Sequence, residues 1–346
     1  MNLSNTPLRN LIIHHVGNKN NADPLHLSQT TLDVNDDTKM ILGDAFLSRF
    51  KNNFEWHQFS HQSSLRFNET YNYCRQIFSD ADAFEEASQA LAKHLYNQST
   101  HPKVKGGELY VAYFDALPVE SRVCKAVGLF KVENKAMFLE SEQNGSNINL
   151  QLKEGIELTK VDKGCLIINQ KADEGFDVLL FDNQSRGEEA QYWKEGFLGL
   201  SPQKNEFHNT QHFLNLTKQF ITGPLESEMN VPKAEQADLL HKSLDYFRSN
   251  DSFDIDDFQA KVFIEDDRID AFRSFGSHYV QNNDFDLAAQ FDISPEAVKK
   301  QSRIFKSIIK LDKNFHIYVH GRTDLIEKGV DLDGRKFYKI YYQEEA

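Results

Sequence analysis

The chain has 346 residues, 40% of them hydrophobic and 26% charged, and a formal net charge of −13 at pH 7. That length buries a real core, most simply as two domains or one large domain with an appendage, and the apolar and charged fractions are those of an ordinary globular protein. No apolar run approaches the roughly 18 residues that span a bilayer, and Met1 to Asn10 lacks a basic stretch followed by an apolar one, so neither membrane insertion nor secretion is expected and the cytoplasm is.

Leu11 to Val16 reads as a first strand, with Leu25 to Leu27 as its partner. From Asn35 the period changes to that of a helix running to about Phe54, with Met40, Ile41, Ala45, Phe46 and Phe50 recurring behind the capping residues Asn35 and Asp36. Two more helices follow at Glu69 to Phe78 and Asp82 to Asn97. Strand signals then dominate: Glu108 to Phe114, Lys125 to Val132, Lys135 to Ser141, Asn147 to Leu152, Gly164 to Asn169 and Phe176 to Phe181, separated by turn-forming Gly pairs. A largely antiparallel sheet with flanking helices is expected, an α+β fold. Beyond Gly196 the chain reads as helical at Thr210 to Ile221, Lys233 to Asn250, Asp256 to Ile264, Ile269 to Tyr279 and Pro295 to Phe305. The break at Gly223-Pro224 sets a domain division there, 1–224 and 225–346. The tail returns to a short β element, with strands at Phe305 to Leu311, His316 to His320 and Lys336 to Tyr342 and a helical turn over Thr323 to Lys328.

The three cysteines, Cys74, Cys124 and Cys165, are odd in number and far apart, which argues against a disulfide framework or a zinc ribbon and for packed thiols. Walker, Rossmann, Gly-x-Ser-x-Gly and His-Glu-x-x-His signatures are absent. Histidine pairs four apart occur at His57/His61, His208/His212 and His316/His320. Only a helix brings such a pair to one metal, since a strand separates its members by roughly 13 Å. His208/His212 meets that condition but has no recognisable third ligand, so no metal site is assigned. Asp177/Asp182 and Asp331/Asp333 are the carboxylate pairs that a metal-dependent nuclease would need, with Lys194 and Glu195 near Asp182. Asp331 to Arg335 is more economically a turn. Leu287 to Arg303 has the length of a helix-turn-helix with a Ser294 cap and Pro295 opening its second helix, although Glu296 occupies the end that normally reads bases.

Charge is divided unevenly. From Lys299 to Ala346 there are 11 Lys and Arg against 7 Asp and Glu, a net of about +4, whereas Glu226 to Glu296 holds 17 acidic and 6 basic residues. The acidic stretch repels phosphates, and the tail attracts them. In that tail Lys299, Lys300, Arg303, Lys306, Lys310, Arg322, Arg335, Lys336 and Lys339 are interleaved with aromatics. Such cations neutralise backbone phosphates and release counterions regardless of sequence. Strand alternation puts Phe337, Lys339 and Tyr341 on one face and Lys336, Tyr338 and Ile340 on the other, so one aromatic set is expected in the core.

Phe176 to Asp182 as a strand, the polar Asn183 to Gly187, the element Tyr192-Trp193-Lys194-Glu195-Gly196-Phe197-Leu198-Gly199-Leu200 and an aromatic helix from Phe207 to Phe220 follow one another in an order that resembles the NdpA-type family of bacterial nucleoid-associated proteins. Gly106 to Phe114 and Gly329 to Lys339 share the resemblance. It implies a cytoplasmic protein of the nucleoid that binds double-stranded DNA with little sequence preference; with the catalytic signatures absent, no catalytic residue and no cofactor is expected. It supplies no contact residues, so the nine tail cations named above rest on charge alone. Two other functions stand beside it: an acidic scaffold or adaptor for a DNA-processing or defence enzyme, meeting a basic protein partner through 226–296, and a metal-dependent nuclease. A homodimer is left open.

Overall fold

The protein is described by a computed structural model covering residue 3 and residues 6–50, 55–119, 121–157, 160–183, 192–283, 285–303, 305, 307–319 and 325–344, with only the backbone of residues 282, 307, 308 and 310. Its contacts divide it into two units, Met1–Gln203 and Lys204–Ala346. Gly223-Pro224 falls inside the second unit, between two of its helices.

In the first unit eight strands form one antiparallel sheet: β1 (Leu8–Val16), β2 (Leu25–His26), β3 (Trp56–Phe59), β4 (Gly107–Val119), β5 (Arg122–Val132), β8 (Lys163–Ile168), β9 (Asp177–Asp182) and β10 (Leu200–Pro202). They run in the order β10-β3-β9-β8-β5-β4-β1-β2. Between β5 and β8, β6 (Ala136–Asn144) and β7 (Asn147–Gly155) form a separate two-stranded arm. Side chains alternate across a strand, so a central strand that is apolar at every position must be covered on both faces. That is the arrangement here. Ile12, Leu109, Val111, Leu129, Cys165 and Val178 pack with the helices Glu69–Ser79 and Phe84–Gln98 and with a π-helical turn, Tyr192–Leu198. Leu11, Ala112, Phe114, Phe130, Leu166 and Leu179 pack with Phe46, Leu47 and Phe50, at the end of the helix Asp36–Ser48 and just beyond it. Asn35 caps that helix by accepting from the Thr38 N–H, as expected, but the helix ends six residues before Phe54, and Met40 and Ile41 are exposed. Cys74 and Cys165 are buried free thiols, and burial raises the pKa of both.

His14 on β1 is held as a neutral ring. The Ser28 backbone N–H donates to its Nδ1 at 3.2 Å, which leaves Nε2 to donate to Ser88 Oγ at 3.1 Å, and Ser88 in turn donates to the Glu85 carbonyl. Protonating Nδ1 would set two N–H groups against each other. Burial lowers the His14 pKa to about 4. Because this folded value lies below the unfolded one of about 6.5, the unfolded chain binds more protons between them, and stability is lost as pH falls from 6.5 towards 4. The urea midpoint of the first unit's transition is expected to drop between pH 7 and pH 5, and to drop less in His14→Gln. Equal drops in the two proteins would contradict this account.

The second unit is built around phenylalanine. Phe213 on the helix Glu206–Thr222 has its ring centroid 4.1 Å from that of Phe253 and 5.4 Å from that of Phe258, while Phe220 meets Phe263, Phe272 and Phe275. The helices Lys233–Ser249, Ile255–Val262 and Asp266–Asn282 supply most of the remaining core. Two short strands, β11 (Ser252–Asp254) and β12 (Gln290–Asp292), pair across the acidic stretch.

β12 corrects the helix-turn-helix expectation. Leu287 to Ala289 is not helical and Gln290–Asp292 is a strand, because Phe291 stacks on Phe253 at 4.7 Å and fixes that pairing. The helix after it, Pro295–Gln301, is shorter than expected. The tail holds two hairpins, β13 (Ser307–Leu311) with β14 (Phe315–Val319), and β15 (Ile326–Val330) with β16 (Lys336–Ile340). Ile326 to Lys328 is therefore strand where a helical turn was expected, and 320–324 lies outside the described residues.

Candidate nucleic-acid interface

Lys299 and Lys300 occupy the last turn of the helix Pro295–Gln301, with Arg303 just beyond, and all three are exposed. Pro295 sits in its first turn, and the Ser294 side chain accepts from the Ala297 N–H at 3.3 Å. The Ser294 N–H donates to Thr210 Oγ1 at 3.0 Å, tying this short helix to Glu206–Thr222. Cations at a helix C-terminus meet the negative end of its dipole, which favours their position there.

Consecutive helical residues point about 100° apart, and the two lysines separate accordingly. Lys299 lines a cavity of about 310 Å³ with Arg248, Asp251, Ser302 and Val298. Lys300 lies over the Phe207 ring, 5.3 Å from its centroid. Arg248 is a cation that sequence reasoning missed. It comes from a helix 51 positions earlier in the numbering, within an acidic region, and no local pattern connects it to Lys299.

In the second tail hairpin directly opposed residues share a face. The register pairs Lys328 with Tyr338, Val330 with Lys336, and Glu327 with Lys339. One face therefore carries Lys328, Lys336 and Tyr338, whose hydroxyl pKa is raised by burial. On the other, Lys339 lies 3.9 Å from Glu327 and over the Tyr341 ring, and Tyr341 donates to Glu327 at 2.9 Å. Arg335 is held by Asp331 at 2.9 Å and Asp333 at 3.0 Å. Asp331 Oδ1 also accepts from the N–H groups of Asp333 and Arg335, and Gly334 adopts φ +79°, which closes the expected turn. Lys306 and Arg322 lie outside the described residues, as does the side chain of Lys310.

The expectation of a buried aromatic set in this hairpin is corrected. Phe337 is 42% exposed and Tyr341 41%, and Tyr338 is only half-buried. A two-stranded ribbon can bury a face only against a further layer, and among the described residues none covers either face. By contrast, Trp193 is fully buried against Phe197 in the first unit, so it is not available to stack on bases.

The other candidates resolve into structure. Asp177 and Asp182 sit at opposite ends of β9, one 3.2 Å from Lys171 and the other 3.1 Å from Lys163. Glu195 and Lys194 lie on the π-helical turn. His57 is on a strand, and His208 and His212 pack ring against ring at 4.2 Å, with His212 stacked on Phe285. Among the described residues no group of three or more His, Cys, Asp or Glu is placed to hold a metal ion. None of the described helices is long and apolar enough to cross a membrane.

A family model described as "Nucleoid-associated protein YejK", NA37, matches residues 12–333. The chain belongs to the NA37 family. The match spans both units and reaches the turn of the second tail hairpin, so the family includes the basic helix and most of the tail. It also agrees with the NdpA-type resemblance carried by Tyr192 to Leu200, which here forms the π-helical turn and β10. No curated protein matches the chain. A nucleoid-associated role follows from membership of NA37.

Proposed function

We propose that this chain binds double-stranded DNA with little sequence preference, through phosphate contacts from its C-terminal region. The observation that carries this reading is the exposed cationic group Lys299, Lys300 and Arg303 at one helix end, in a chain whose net charge is otherwise strongly negative. Lys336 and Lys328, on the shared hairpin face, join it. Arg335 and Lys339 contribute less, because a phosphate would have to displace Asp331, Asp333 or Glu327 from them.

Low specificity follows from the chemistry of the contact. Lysine ammonium groups act as point charges on phosphate oxygens, and those oxygens carry no base identity. The helix Pro295–Gln301 presents Glu296 in its first turn, a carboxylate that DNA phosphates repel and that accepts from the Ser294 hydroxyl at 3.2 Å, which also speaks against sequence readout from that end. The acidic helices keep the rest of the second unit's surface off the duplex, or offer it to a basic protein partner. Titrating salt against duplex affinity tests the reading, since phosphate contacts release counterions and a protein-docking scaffold does not depend on them.

A further inference from the structure

We propose that the β6–β7 arm is a dimerisation surface whose occupant is the same arm of a second copy of this chain. Opposed residues on the two strands are Met137 with Glu154, Leu139 with Leu152, Ser141 with Leu150, and Gln143 with Ile148. Opposed residues share a face, so five large aliphatic side chains lie together on one side of the ribbon. Met137 is 59% exposed, Leu139 62%, Ile148 76%, Leu150 64% and Leu152 64%. The other face carries Phe138 at its base, 47% exposed, and is otherwise polar, with Glu140 and Lys153 ion-paired across the strands and Glu142, Asn149 and Gln151 beside them.

An isolated two-stranded ribbon is at best marginally stable in water, and among the described residues nothing covers the apolar face of this one. Five half-bared aliphatics present on the order of several hundred Å², the size at which an exposed patch marks an interaction site. Two such faces in contact would bury roughly 1,000 Å², the lower bound of a specific interface.

The chemistry of the face selects its occupant. It carries no cation, and its one ionisable group, Glu154, stands at the base of the arm, so it offers nothing to a phosphate backbone and little to a charged peptide. Its relief is self-complementary. Ser141 leaves a hollow opposite Leu150, and a two-fold axis lets the leucine of each copy fill the hollow of the other. That is the isologous arrangement in which one patch meets itself.

Sedimentation of the full chain tests this. The wild-type protein is expected to sediment as a dimer at micromolar concentration. Leu139→Glu with Leu150→Glu is expected to raise the dissociation constant by at least about a hundredfold, since like charges then face each other across the axis. Glu142→Lys, on the polar face, is expected to leave the dimer intact. The substituted leucines are exposed, so the double variant should keep its circular dichroism spectrum and melting temperature. If it loses them, Leu150→Glu mixed with Leu150→Lys provides a second test, with dimers recovered only in the mixture. A monomeric wild type, or a double variant that still dimerises, would overturn the proposal.

Discussion

Replacing Lys299, Lys300 and Arg303 together by glutamate is expected to lower duplex affinity by roughly 10²- to 10³-fold at physiological salt, and to flatten the dependence of log K on log salt by about 3. Each cation that neutralises a phosphate contributes about 0.9 to that slope, so removing three removes about 2.7. Glutamates at a helix C-terminus also oppose its dipole, at a cost of about 0.3–1 kcal/mol each, and some of the lost binding could come from loosening the helix Pro295–Gln301. A glutamine triple variant separates the two causes, because it removes the charge without setting an anion against the dipole. The glutamine variant should lose nearly the same slope and less of the affinity, with an unchanged melting temperature. Retained affinity and slope in both variants would remove this helix end from the contact.

The second large effect concerns folding. Lys131, Lys163 and Asp182 stand side by side on β5, β8 and β9. Lys131 is fully buried and Lys163 nearly so. Glu133 lies 3.1 Å from Lys131 and 3.9 Å from Lys163, and also accepts from the Tyr192 hydroxyl at 2.9 Å. Lys131 further donates to the Lys105 carbonyl, and its ammonium lies 5.5 Å from the centroid of the Tyr192 ring. Burial lowers the Lys131 pKa, and Glu133 is the main influence opposing it.

Glu133→Ala takes the shared carboxylate away from two buried lysines and is expected to cost about 3–5 kcal/mol, the range for a buried pair deprived of one partner. Lys131→Met with Glu133→Gln removes the orphaned charge and keeps an acceptor for Tyr192, so it should recover most of the loss. Urea unfolding of the wild type and the two variants checks this. A Glu133→Ala variant within about 1 kcal/mol of wild type, the size of a surface pair, would show that the lysines do not depend on that carboxylate. Tyr192 begins the Tyr192 to Leu200 element that carries the family resemblance, and through its hydroxyl and ring that element closes the sheet over a row of buried charges.

Much of the first unit was legible because its signals are local. Asn35 caps the helix it precedes, and the central strands are continuous apolar runs between glycine turns. Three-residue strands such as β10, β11 and β12 were not, since at that length propensity yields to whatever partner the tertiary structure presents. β15 was hidden for a related reason: Glu327, Lys328 and Gly329 disfavour a strand, and the pairing with β16 overrides them. Missing β15 also concealed the partner of Lys339, because Glu327 reaches it only through that register. Alternation correctly sorted Lys336 and Tyr338 from Phe337 and Lys339, but it cannot say whether a further layer exists to bury either set. The charge split between tail and acidic helices was readable from composition, whereas the placing of Arg248 beside Lys299 needed the fold.

Docking of the tail on phosphates is tested most directly by the slope of log K against log salt for the wild-type chain on a duplex of arbitrary sequence. With Lys299, Lys300, Arg303, Lys328 and Lys336 in contact, a linear fall with a slope of about −4.5 is expected. A slope near zero, with binding retained at physiological salt, would contradict phosphate docking and favour the acidic-scaffold reading.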